Sequence, residues 1–127
     1  MSHKLSILIV DDEPRIRLAL EYNLRQDGFE VFAAKDGFEG LNMAMENRPD
    51  LILLDWMMPE MTGIEVLRKL KMDERTRDIP VFMCTAKSTI GDVDRGYNVG
   101  ADYYITKPFD VWKLGDLLRE KYTAAKK

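Results

Sequence analysis

The chain has one cysteine, no long apolar run and no surplus of basic charge. Each shortage excludes something. A single Cys84 cannot form an internal disulfide and favours a reducing compartment. Its neighbours, Val81-Phe82-Met83, mark it as a small buried hydrophobe. Without a stretch of about 18 apolar residues there is no membrane-spanning helix. Met1-Ser2-His3-Lys4 leads straight into an apolar segment, without the core of a signal peptide. A formal charge of −3 leaves no electrostatic footprint for nucleic acid or an anionic membrane. Nor does a glycine-rich loop follow the first apolar segment. Asp11-Asp12-Glu13-Pro14 is anionic where a phosphate cradle would be needed. Repeats, low-complexity tracts and linkers are also missing. What is there describes an ordinary globular domain, 46% hydrophobic and 32% charged over 127 residues, with no room for a second module.

Strand-like and helix-like patterns alternate along it. Leu5–Val10 is the first short apolar run. Pro14 suits a first helical position, and Ile16, Ala19, Leu20 and Leu24 follow at helical spacing until Gly28. Phe29–Ala34 reads as a strand. Gly37 opens a helix with Leu41, Ala44 and Met45 inward, stopped by Pro49, and Asp50–Asp55 is the third strand. Thr62-Gly63-Ile64-Glu65 fits a capping box before the stripe Ile64, Leu67, Leu70. Pro80–Thr85 is a fourth strand. Ser88–Asn98 has a weak helical pattern (Ile90, Val93, Tyr97) with two interior glycines, Gly91 and Gly96. Each costs about 1 kcal/mol relative to alanine, so this is expected to be the least stable helix. Tyr103–Thr106 is a fifth strand, and Val111, Leu114, Leu117 and Leu118 mark a final helix that fades from Thr123. Five βα units with right-handed crossovers give an α/β fold, an open parallel sheet covered by helices on both faces.

Two of these strands end in acid: Val10 is followed by Asp11-Asp12, and Leu54 by Asp55. Ligands in such sheets bind outside the carboxyl ends of the strands. A lone acid before a helix is ordinarily an N-cap, and a lone acid at a strand exit is unremarkable. Neighbouring strands, however, would bring three carboxylates together. At roughly 5 Å and an effective dielectric near 20, each like-charged pair costs about 3 kcal/mol, which implies a cation. Thr85 ends the fourth strand and Lys107 follows the fifth. Three carboxylates, a hydroxyl and an ammonium suit a divalent cation beside a phosphoryl group.

Val10-Asp11-Asp12-Glu13, Leu54-Asp55-Trp56-Met57-Met58-Pro59-Glu60-Met61-Thr62-Gly63, Cys84-Thr85-Ala86 and the run from Gly100 to Phe109 occur in this order. Together they resemble the motif blocks of bacterial two-component response-regulator receiver domains of the CheY-like kind. The resemblance covers about residues 5–121. It implies a flavodoxin-like (βα)5 three-layer sandwich with five parallel strands in the order 2-1-3-4-5. Residues 1–127 would be a single receiver domain with no output domain. Asp55 would accept the phosphoryl group. Asp11, Asp12, Asp55 and the backbone carbonyl of Met57 would hold Mg2+, or Mn2+ in its place, with Asp11 acting through water. Lys107 and Thr85 would contact the phosphoryl oxygens, and Lys107-Pro108 would be a cis peptide. Thr85 and Tyr104 would form the switch, driving the face made by the Ser88–Asn98 helix, the fifth strand and the final helix.

The implied reaction is Mg2+-dependent phosphoryl transfer from a kinase phosphohistidine to Asp55, later reversed by water. The partners would be a sensor histidine kinase or histidine phosphotransfer protein and a downstream protein. The chain would be cytoplasmic, a monomer or phosphorylation-dependent dimer, and not a multiple-turnover enzyme. Direct nucleic-acid binding and membrane association are not expected. Met57, apolar two residues after Asp55, would slow hydrolysis. Lys87 is cationic where an acid can occur. Tyr103 replaces a second acid after Asp102, which weakens the case for a salt-bridged dimer. The basic residues Arg68, Lys69, Lys71, Arg75 and Arg77, interleaved with Asp73, Glu74 and Asp78, read as a solvated face and loop. Two rival functions remain. An aspartyl-phosphate phosphatase would place an acid at position 57; a phosphorylation-independent interaction domain would not need the retained acids and lysine.

Overall fold

In the computed structural model, which describes residues 4–86, 100–107 and 109–126, apolar strand residues point alternately to two helical layers. Strand β1 (Ser6–Val10) sends Ile7 and Ile9 into one core and Leu8 and Val10 into the other; β3 (Leu51–Asp55) divides Leu51 and Leu53 from Ile52 and Leu54 in the same way. Burial on both faces explains why these runs are continuously apolar rather than alternating. The first core lies under α1 (Pro14–Gln26) and α4 (Val111–Ala125), through Leu20, Leu24, Leu114 and Leu118. The second lies under α2 (Gly37–Asn47) and α3 (Gly63–Met72), through Ala44, Ile64, Leu67 and Leu70.

With β2 (Glu30–Ala34), β4 (Val81–Ala86) and β5 (Tyr103–Lys107), the sheet is five-stranded, parallel and ordered β2-β1-β3-β4-β5. The expected flavodoxin-like topology is therefore present, with four helices among the described residues. Strand order makes β1 and β3 neighbours, Val10 opposite Leu54, so Asp11 and Asp55 leave the sheet side by side. Asp55 pairs with Cys84, and Ala86 with Lys107. The carboxyl edge thus gathers the ends of β1, β3, β4 and β5.

Local chemistry accounts for the helix boundaries. Pro14 opens α1 and Glu13 caps it, accepting from the Arg15 N–H at 3.2 Å. The capping box is present, with Thr62 Oγ1 accepting from the Glu65 N–H and Glu65 accepting from the Thr62 N–H. Helix α2 ends at Arg48, whose φ of 43° is left-handed, one residue before Pro49.

Some expectations are corrected. The last helix does not fade from Thr123 but continues to Ala125, where Thr123 Oγ1 donates to the Arg119 carbonyl at 3.0 Å. Strands β4 and β5 each extend one residue further, to Ala86 and Lys107. Lys71 is more than part of a solvated face: its ammonium reaches the Arg77 and Ile79 carbonyls and lies 3.6 Å from Asp102, which accepts from the Val81 N–H. Cys84 is buried, and burial raises its thiol pKa. The expected Ser88–Asn98 helix, Lys87 and the expected cis peptide at Pro108 lie outside the described residues. No helix among the described residues is long and apolar enough to cross a membrane.

Candidate functional site

Asp11, Asp12 and Asp55 each place one carboxylate oxygen within 4.8 Å of the other two. Asp11 is 2% exposed and Asp55 6%, whereas Asp12 is half-buried. The acids after β1 divide the work. Glu13 caps α1, so neither aspartate is spent as the N-cap. Asp11 instead accepts from the Glu13 N–H at 2.9 Å through Oδ1, which closes the turn and leaves Oδ2 toward the cluster.

Lys107, half-buried at the end of β5, bridges two of the three acids. Its ammonium donates to Asp55 Oδ1 at 2.8 Å and to Asp11 Oδ2 at 3.3 Å. Among the described residues, the one ammonium hydrogen-bonded to this cluster faces three carboxylates, and the titration of Asp55 and Lys107 reflects it. Burial, chiefly, raises Asp55 from 3.8 to about 6; the hydrogen bond from Lys107 opposes this, while the charges of Asp11 and Asp12 add to it. Burial works against the Lys107 ammonium, but the bond and charge of Asp55, with the charge of Asp11, outweigh it and raise its pKa.

This donor set fits a hard divalent cation. All three side chains offer oxygen, the oxygens converge, and the edge carries negative charge that a 2+ ion would neutralise. Asp11, Asp12 and Asp55 could hold such an ion, with water and a backbone carbonyl completing an octahedron.

Thr85 is buried at 4% exposure, next along β4 from the residue that pairs with Asp55. Tyr104 is half-buried on β5 and its ring lies 6.1 Å from that of Trp56, tilted by 43°. Met57 is 70% exposed, while Met58 and Met61 pack into the second core.

Two residues escaped sequence reasoning. Gly63 begins α3 where a Cβ would lie 2.2 Å from the Asp55 carbonyl oxygen, so only glycine lets α3 start against the end of β3. The capping-box motif located this residue without revealing that packing. Arg17, on α1, donates from Nη1 to the Asp11 carbonyl at 2.8 Å. An arginine six residues after an aspartate has no motif value, so nothing in the sequence distinguished it.

Beside Lys107 an apolar groove of about 430 Å³ runs between α1 and the β5–α4 loop, lined by Ile16, Ala19, Leu20, Phe109 and Val111.

A family model for the response regulator receiver domain matches residues 7–119. Over 108 residues, 85% of this chain and 45% of the relative, the sequence is 49% identical to the DNA-binding dual master transcriptional regulator RpaA of Synechocystis sp.. It is 48% identical to the phosphate regulon transcriptional regulatory protein PhoB of Pseudomonas aeruginosa, over 86% of this chain and 48% of that one. The chain spans about half the length of these curated relatives. Among solved structures, chemotaxis protein CheY4 of Vibrio cholerae matches with a TM-score of 0.88 at 33% identity, covering 93% of this chain and 98% of that one. A CheY-like receiver domain protein of Methanospirillum hungatei JF-1 matches with a TM-score of 0.89 at 30% identity, covering 98% of each.

Proposed function

The chain belongs to the response regulator receiver domain family, a signalling component of two-component systems, and from that premise we propose that Asp55 is its phosphoacceptor. One observation carries the reading: the buried Asp55 carboxylate, hydrogen-bonded to Lys107, lies in a cluster of three acids whose carboxylate oxygens converge.

In the proposed reaction an Asp55 oxygen attacks the phosphorus of a phosphohistidine in line, and the phosphorus–nitrogen bond breaks to return the imidazole. Mg2+, or Mn2+ in its place, held by Asp11, Asp12, Asp55 and the Met57 carbonyl, would supply charge neutralisation and orientation of the phosphoryl oxygens. The Lys107 ammonium moves from carboxylate to phosphoryl oxygen as Asp55 becomes an acyl phosphate. The Thr85 hydroxyl donates to a second phosphoryl oxygen, and Tyr104 turns inward behind it. These residues contribute position and preformed charge, the main sources of catalysis in phosphoryl transfer.

The donor is a sensor histidine kinase or histidine phosphotransfer protein, and the groove ending at Lys107 offers it an apolar surface beside the acceptor. RpaA and PhoB are named as transcriptional regulators, which supports output to a DNA-binding partner, in the same polypeptide or another, without DNA contact by residues 1–127 themselves. This unit works as a cytoplasmic monomer or phosphorylation-dependent dimer. It turns over only its own phosphoryl group; added phosphomonoesters should give no steady hydrolysis.

Mg2+ titration tests the cation site. Trp56 adjoins Asp55, and Trp112→Phe removes the background of the other, exposed indole. A saturable change in Trp56 fluorescence, reversed by EDTA and lost in Asp12→Asn, is expected. No response to Mg2+ contradicts the reading.

A further inference from the structure

Two adjacent aspartates repel each other and have no intrinsic reason to converge on a third. Some restraint must fix the turn between β1 and α1. Asp11 is tied at its N–H, which donates to the Ala34 carbonyl at 3.2 Å, and at its side chain, which accepts from Glu13. Those ties hold its amide and its carboxylate. The peptide linking Asp11 to Asp12, which sets the direction of the second carboxylate, is held from the other side. There the Arg17 guanidinium donates to the Asp11 carbonyl at 2.8 Å.

Arg17 is well placed for this. It lies one turn into α1, where side chains lean toward the helix N-terminus and so back over the turn they follow. Its own N–H bonds to the Glu13 carbonyl at 3.0 Å, anchoring its backbone to the same turn. The side chain is half-buried in a hollow of about 340 Å³ that it shares with Asp12, Lys35, Asp36, Pro59 and Glu60.

We propose that Arg17 is a positioning residue for the cation site: its bond to the Asp11 carbonyl orients the Asp11–Asp12 peptide so that both carboxylates converge on Asp55. The inference rests on the reading of the acid cluster as a divalent-cation site. Its sign is informative, because charge and position act in opposite directions. As a cation near the cluster, Arg17 opposes binding of a second cation, so its removal would tighten Mg2+ binding. As a brace, it aids binding, and its removal weakens it. Partners that orient a metal's ligands typically contribute about 10- to 100-fold in affinity.

The experiment is Mg2+ titration of the full chain carrying Trp112→Phe, followed by Trp56 fluorescence, for Arg17 and for Arg17→Ala, Arg17→Gln and Arg17→Lys. Arg17→Ala should weaken binding about tenfold. Arg17→Gln, which keeps a donor without the charge, and Arg17→Lys, which keeps both on a shorter reach, should recover part of the loss. Without metal, the Glu13 amide should exchange its hydrogen faster in Arg17→Ala. If Arg17→Ala does not fold, the Gln and Lys variants carry the test, each expected to bind Mg2+ more weakly than wild type but by less than the roughly tenfold loss of a full deletion. Unchanged or tighter binding in the folded variants, or a lower melting temperature with the same Mg2+ affinity, overturns the proposal. A wild-type chain that ignores Mg2+ overturns the cation-site reading itself.

Discussion

Lys107 donates to Asp55 across the carboxyl edge of the sheet at 2.8 Å, from a strand that is not its neighbour. The contact spans β4, and the same ammonium also reaches Asp11, just past the end of β1. Lys107 is thus a resident counter-charge of the cluster, and in the proposed reaction it is the group that turns to a phosphoryl oxygen. Lys107→Ala should retain Mg2+ binding at least as tight as wild type, since a competing cation is gone. Its rate of phosphorylation by a small donor should fall about 100-fold, the scale for removing one preorganised transition-state donor. Loss of Mg2+ binding with transfer intact would reverse these roles.

Asp55 makes a contribution of its own to the pH dependence of stability. Its carboxyl titrates at about 6 in the folded chain, against an ordinary value of 3.8. Between roughly pH 4 and pH 6 this carboxyl therefore holds more protons in the folded than in the unfolded state, and its contribution to stability falls as pH rises. In metal-free thermal melts, Asp55→Asn should match wild type near pH 4 and become progressively more stable than it up to pH 6. Added Mg2+ should stabilise wild type increasingly through the same window. A wild-type-to-Asn difference that stays constant from pH 4 to 7 contradicts this assignment.

Gly63→Ala should couple fold and site. Its Cβ would lie 2.2 Å from the Asp55 carbonyl oxygen and 2.8 Å from Trp56 Cα, both backbone atoms that cannot swing aside. A loss of about 1–3 kcal/mol is expected from urea denaturation, the usual range for overpacking. Because the displaced backbone carries Asp55, Mg2+ binding should weaken as well. Full stability with full affinity would show that α3 can begin elsewhere.

Met57, two residues after Asp55, is 70% exposed, and in the proposed reaction an amide in its place would hold a water near the acyl phosphate. Met57→Asn should shorten the phosphoryl lifetime, measured as loss of the mass adduct over time after donor removal. An unchanged or longer lifetime refutes the idea that the apolar side chain slows hydrolysis.

The fold was legible because every strand carries its own evidence. Runs buried on both faces must be apolar throughout, and the capping box and Pro14 mark helix starts by local hydrogen bonding. The acid cluster was legible because parallel topology sends neighbouring strand ends to one edge. Less legible were features that depend on approach between distant elements. Gly63 looks like any helix-opening glycine until the Asp55 carbonyl is set against it. Lys71 looks like one surface lysine among several until the chain returns Asp102 and the Ile79 carbonyl to it. The end of α4 was misread because Thr123 has low helix propensity, and its hydroxyl bonds back to Arg119 within the helix instead of ending it.

Intact mass after incubation with acetyl phosphate and Mg2+ tests Asp55 as phosphoacceptor most directly. Wild type should gain the mass of one phosphoryl group, lose it at alkaline pH, and gain none with EDTA. Asp55→Asn should gain none under any of these conditions. An adduct on Asp55→Asn, or no adduct on wild type that binds Mg2+ and is folded, would contradict the central claim.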